Sequence, residues 1–109
     1  MCQFRELYRG EEGYIIRCAA CKHYQILFSG VVLSLNEPEY AKFSSVAAAC
    51  EQDFLNYTCT GNVPMPAMRQ GVYLLLNNQK IKALNAMLEA ADTEAKTLAL
   101  FQLFEPGKR

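Results

Sequence analysis

Gly30-Val31-Val32-Leu33-Ser34-Leu35-Asn36 returns 41 residues later as Gly71-Val72-Tyr73-Leu74-Leu75-Leu76-Asn77, with Gly, the first Val, the two aligned Leu and Asn in the same places. Each stretch reads as a strand that ends on a residue suited to cap a helix. In the first, Val31, Leu33 and Leu35 alternate onto one face, as a half-buried strand requires. The second, Gly71 to Leu76, is apolar throughout and predicts a strand central in its sheet. Asn36 is followed three residues on by Glu39, the pattern of a capping box, and Pro38 suits a first helical turn. Past the caps the copies stay aligned. Tyr40 matches Ile81, Phe43 matches Leu84, Ala47 matches Leu88 and Cys50 matches Ala91. Steps of three and four mark an amphipathic helix in each copy. Internal strand–helix duplication and convergence on a common strand-to-helix junction explain this equally well.

Upstream of the first copy, residues 1–35 read as strand-rich hairpins. Phe4 to Tyr8, a turn bounded by Gly10 and Gly13, and Tyr14 to Cys18 form the first. If Gly10 faces Gly13, Tyr8 lies opposite Ile15, Leu7 opposite Ile16, and Glu6 opposite Arg17 as a cross-strand charge pair. The same register sets Cys2 opposite Cys21. Tyr24 to Phe28 follows as a third strand, separated from the fourth by Ser29-Gly30. Residues 36–54 read as a helix. Residues 55–70, with Gly61, Pro64 and Pro66, read as a loop in which Val63 to Met68 could hold a short edge strand. Residues 71–77 read as the second-copy strand. Residues 78–105 read either as one helix or as a pair divided at Asp92-Thr93-Glu94, closed by Pro106-Gly107. The expectation is one domain over 1–109, of α+β class: a mainly antiparallel sheet with two or three helices packed on one face.

Composition narrows the function. The 109 residues carry 11 Lys plus Arg against 11 Asp plus Glu, and 51% of them are hydrophobic. A folded core is expected, while a neutral balance argues against nucleic acid or an anionic membrane surface as partner. No stretch approaches the roughly 20 apolar residues of a membrane span. The N-terminal charges at Arg5 and Glu6 do not suit a signal peptide. A cytoplasmic setting, with its thiols reduced, is the expectation. Arg5, Arg9 and Arg17 could form a basic strip on the first hairpin, diluted by Glu6, Glu11 and Glu12, and a solvated face is the plainer reading.

Chemistry concentrates at Cys18-Ala19-Ala20-Cys21-Lys22-His23, which holds two of the five cysteines and the one histidine. A C-x2-C turn can aim two thiolates at one ion, and zinc takes four ligands with sulfur at about 2.3 Å. The hairpin register adds Cys2, giving Cys2, Cys18, Cys21 and His23 as a candidate structural zinc site, with Cys59 in reserve. A thiol redox or metal-handling role for Cys18 and Cys21 is the alternative. It is weakened by the lack of a helix N-terminus to lower a thiol pKa. The plainest reading is of small thiols packed at a hairpin end, with Cys50 a core thiol on the helix stripe. One His, no H-E-x-x-H and no phosphate-cradling glycine loop leave no catalytic template, so a non-enzymatic binding or adaptor domain is favoured. Tyr57, Met65 and Met68 form the candidate protein-contact patch, because Met among prolines makes adaptable contacts. A homodimer is the natural way to cover leftover apolar surface.

Met1-Cys2, Cys18-Ala19-Ala20-Cys21, Gln25-Ile26-Leu27-Phe28-Ser29-Gly30 and the unit beginning at Gly71 together resemble a family of small uncharacterised bacterial proteins. These begin Met-Cys and carry a C-x2-C after the first hairpin. The resemblance spans nearly the whole chain. It implies no activity, because that family has no assigned function, but it sets Cys2 beside the pair at 18 and 21.

Overall fold

The computed structural model describes the backbone of residues 3–57, 61–68 and 70–104, and the side chains among them other than those of 55–57 and 101–104. In chain order it comprises β1 (Phe4–Gly10), β2 (Gly13–Cys18), β3 (Tyr24–Phe28), β4 (Val31–Leu35), α1 (Glu37–Tyr57), β5 (Val63–Pro66), β6 (Tyr73–Leu76) and α2 (Asn78–Phe104). Strands β1 to β4 form an antiparallel meander in sequence order, and β5 with β6 form a separate antiparallel pair. The class is therefore α+β, with two helices among the described residues. Duplication does not follow from it, since β4 ends a four-stranded sheet whereas β6 pairs only with β5.

Period-two patterning sets the core face of the meander. Ile15, Ile26 and Leu33 lie directly opposite one another across three strands and are buried, as are Phe28 and Leu35. Against them α1 presents Tyr40, Phe43, Ala47 and Phe54, and α2 presents Ile81, Leu84, Met87, Leu88 and Ala91. These are the positions the three-and-four spacing marks, with Met87 also on the apolar side of α2. At about 25 cal/mol per Å² of apolar surface, such burial is the main term holding helices to sheet. Cys50 is half-buried against the same core.

Local signals act as chemistry requires. Glu39 N–H donates to Asn36 Oδ1 and Asn36 N–H donates to Glu39 Oε1, both at 2.9 Å, so the capping box closes in both directions. At α2 the cap is one-way, with Lys80 N–H donating to Asn77 Oδ1 at 2.8 Å. Ser29 (φ 54°) and Gly30 (φ 79°) both take left-handed backbone, the two-residue turn that best matches strand twist between β3 and β4.

Three expectations need correction, and one open choice is settled. The Gly10–Gly13 register holds through Tyr8–Ile15 and then slips by one residue at a bulge around Leu7. Leu7 is therefore not paired with Ile16, and Glu6 lies opposite Ile16 while Arg17 faces Arg5. Glu6 pairs instead with Arg9 on its own strand, and Arg17 reaches Glu37 at the start of α1 at 2.8 Å. Second, the β6 strand is not central. With one ladder partner it buries Leu74 and Leu76 and exposes Tyr73 and Leu75. Third, α1 runs on to Tyr57 rather than ending at residue 54, while the edge strand expected within Val63 to Met68 is present as β5 (Val63–Pro66). Of the two readings of residues 78–105, one helix or a pair, the single helix is the one formed, as α2 over Asn78–Phe104. Thr93 and Thr97 hydroxyls donate to the carbonyls of Glu89 and Thr93, four residues back, rather than capping a new start.

A polar clamp fixes the helix pair. Asn85 Nδ2 on α2 donates to Ala47 O at 3.0 Å, Glu51 Oε1 at 2.9 Å and Ile81 O at 3.2 Å, a set that sequence patterning did not reveal.

Candidate functional site

The Cys18–His23 segment folds as a tight turn closing β2 onto β3. Cys18 N–H donates to His23 O at 2.8 Å, and Lys22 N–H donates to Cys18 O at 3.0 Å. Lys22 takes left-handed backbone at φ 64°, where glycine is the usual occupant. Cys21 N–H points at Cys18 Sγ, 3.4 Å away. The two thiols are not equivalent, because Cys18 is 0% exposed and Cys21 is exposed. His23 is also exposed, with Nδ1 3.3 Å from Cys21 O. Strand β2 ends at Cys18, so Cys21 has no ladder position at which a partner strand could meet it. Cys2 and Cys59 lie outside the described residues. Among the described residues, no group of three His, Cys, Asp or Glu side chains could hold a metal ion. Cys18, Cys21 and His23, all of them described, therefore do not make such a group by themselves.

The candidate contact patch also divides. Met65 is 1% exposed and belongs to the core, Met68 is half-buried against it, and the Tyr57 side chain lies outside the described residues. Met65 turns inward because the ladder sets it against Leu74, on the buried face of the β5–β6 pair. The outward face carries the pairs Pro64–Leu75 and Pro66–Tyr73 instead. Tyr73 is 59% exposed, Leu75 57% and neighbouring Val72 39%. Proline marks the edge strand in the sequence, but its consequence for the neighbouring strand is what the sequence reading missed. Pro64 and Pro66 cannot donate to a ladder, so β5 must be an edge, and β6 beside it gains only one covered side.

A second feature the sequence left as a solvated strip is a cleft of about 230 Å³ between the first hairpin and α2. Arg5, Arg17 and Lys22 line it with Leu7, Ala19, Ala95, Leu98 and Ala99. The bulge at Leu7 brings Arg5 into line with Arg17. The Arg17 guanidinium also lies over the Tyr24 ring, 5.4 Å from its centroid, and Tyr24 stacks on Tyr40 with centroids 3.8 Å apart and planes 7° apart. Burial pushes both phenols above their ordinary pKa. The Asp92 carboxylate is the next largest cause for Tyr40, while Arg17 partly offsets the rise at Tyr24. The Tyr40 hydroxyl is buried with no hydrogen-bond partner among the described residues.

No helix among the described residues is long and apolar enough to cross a membrane. Searches of the curated proteins and of the solved structures find no match. A family model does match, over residues 1–103, and its description is a family of unknown function, DUF6686. That match spans both sheets and nearly all of α2, and the chain belongs to this family.

Proposed function

We propose that the chain is a small non-enzymatic binding domain of the cytoplasm that works through the outer face and free edge of the β5–β6 pair, with a second copy of the chain seated there. The observation that carries this is the exposure of Tyr73 and Leu75 on an edge strand, flanked by Pro64 and Pro66. The four side chains make an uncharged apolar surface, the kind that marks an interaction site. The two edges of the pair differ. Pro64 and Pro66 have no N–H, so Val63 and Met65 must be the β5 residues bonded to β6, and the outer edge of β5 is blunted. Leu74 and Leu76 are then the bonded residues of β6, and the amides of Tyr73 and Leu75 point to its open edge. A two-fold axis beside β6 pairs that edge with itself, the commonest symmetry of self-association. The net charge is zero, so two copies do not repel.

Light scattering coupled to gel filtration over a concentration series tests this. A dimer that dissociates on dilution is expected. The Leu75→Lys variant should be monomeric throughout, with an unchanged unfolding midpoint. A chain that stays monomeric at several hundred micromolar, or a dimer indifferent to Leu75→Lys, overturns the reading.

A second reading rests on the Cys18–His23 turn. A backbone N–H aimed at the Cys18 sulfur and a left-handed residue just after Cys21 suit a turn that wraps a metal-bound thiolate. In this reading Cys2, Cys18, Cys21 and His23 hold one structural zinc, and His23 keeps Nε2 for the ion while Nδ1 lies near the Cys21 carbonyl. Cys18, Cys21 and His23 do not form a metal-holding group as they lie, so this reading requires the turn to close around the ion together with Cys2. Metal analysis of protein purified without added zinc should find about one zinc per chain, lost in Cys2→Ser and in Cys21→Ser. Metal-free protein overturns the zinc reading. A redox role for the pair is disfavoured by the burial of Cys18, since the thiolate is the reactive form and apolar burial opposes it.

A further inference from the structure

We propose that the cleft between the β1–β2 hairpin and α2 is a binding site for a small organic carboxylate with a short apolar tail. The bulge at Leu7 sets Arg5 directly opposite Arg17. Like charges in that relation destabilise an antiparallel pair. A chain with no use for the arrangement could relieve it by changing either residue. Lys22, projecting from the turn just past β2, adds a third cation to the same walls. Glu37 is the only acid among the described residues that forms an ion pair with any of the three, through one terminal nitrogen of Arg17. Among the described residues Arg17 Nε is buried without an acceptor, which leaves that guanidinium under-compensated. The cleft is thus a partly enclosed cavity with excess positive charge, where attraction for an anion exceeds that in open water.

The other wall selects the rest of the ligand. Leu7, Ala95, Leu98 and Ala99 are apolar, and the alanines at 95 and 99 are what keep the space open on the α2 side. An inorganic anion would satisfy the cations and leave this wall wet. A carboxylate with a few methylenes uses both, worth about 0.8 kcal/mol for each CH₂ buried. Planar guanidinium groups pair with carboxylates through two parallel hydrogen bonds, which suits Arg5 at the cleft mouth. A volume of about 230 Å³ lies below the usual range of about 300–1,000 Å³ for drug-sized ligands, so nucleotides and long acyl chains do not fit.

Isothermal titration of the full chain with acetate, butanoate, hexanoate and inorganic phosphate tests the site. Affinity should rise at least tenfold from acetate to butanoate, fall as salt is added, and exceed that for phosphate. Arg5→Gln should weaken butanoate binding at least tenfold while raising the unfolding midpoint of the ligand-free protein, because the opposed cations are gone. Ala99→Leu, on an exposed position of α2, should block butanoate without altering the far-ultraviolet circular dichroism. Phosphate binding as tightly as butanoate overturns the apolar-tail assignment. Absence of binding by all four anions at millimolar concentration, or butanoate binding indifferent to Arg5→Gln, overturns the site.

Discussion

The β4–α1 and β6–α2 junctions begin from nearly the same seven residues and reach different surroundings. Gly30 and Gly71 share φ 79°, the Leu pairs 33/35 and 74/76 are all buried, and Asn36 and Asn77 each cap a helix. The differences lie at the residues the two copies do not share. Where the first has Glu39 to complete its cap, the second has Lys80, so one hydrogen bond is lost. Where the first carries Ser34 on its outward face, the second carries Leu75. The shared residues determine the local backbone, and the unshared ones determine how firmly each helix starts and what each strand leaves to solvent. A strand–cap–helix unit is thus a local solution, indifferent to the sheet it joins.

Breaking the shared part should cost both copies alike. Leu35 and Leu76 are fully buried, and truncation of either to Ala is expected to cost about 2–5 kcal/mol. Urea unfolding should give values within about 1 kcal/mol of each other, and a much smaller loss for Leu76→Ala would mean that the two-stranded pair barely supports the core. The caps should separate the copies. The double variant Asn36→Ala/Glu39→Ala removes both side-chain acceptors of the closed box and should cost about 1–2 kcal/mol, while Asn77→Ala should cost about 0.5–1 kcal/mol. Equal losses would show that Glu39 contributes nothing.

The smallest effect concerns Tyr40, which occupies the place of Ile81 in the second copy. Its pKa is raised in the fold, so the neutral phenol is the form the core accepts. Its contribution is full below the unfolded value of about 10 and is lost as pH rises toward the higher folded value. Stability measured from pH 8 to 11 should therefore fall above pH 10. Tyr40→Phe should lessen that fall, and at neutral pH it should cost under about 1 kcal/mol, since the hydroxyl has no hydrogen-bond partner to lose. An alkaline fall unchanged in Tyr40→Phe would place its origin at another tyrosine.

Periodicity made the elements and most of the core legible, because alternation and three-and-four spacing are properties of single elements. Tyr40, Phe43, Ala47 and Phe54 could be read off in this way. What stayed hidden depended on relations between elements. The bulge at Leu7 cannot be seen in either strand alone, yet it decides whether Arg17 meets Glu6 or Arg5. The apolar run at Gly71 to Leu76 looked buried because a strand with two neighbours and two covered faces reads the same way. Only its single ladder partner, made an edge by two prolines, shows otherwise. Asn85 is legible only once α1 lies beside it.

The two sheets share no ladder, and α1 and α2 are the bodies that pack against both. This has a consequence for how the chain acquires its structure. A meander of neighbouring strands can pair early at small loop cost. A lone pair such as β5–β6 is marginal at best in water. Residues 78–104 follow all six described strands, so until they emerge the apolar side of the meander has only α1 to shelter it. Folding should then be completed late, in one cooperative docking of α2, and a chain stopped at Leu76 should aggregate rather than persist as a smaller folded domain.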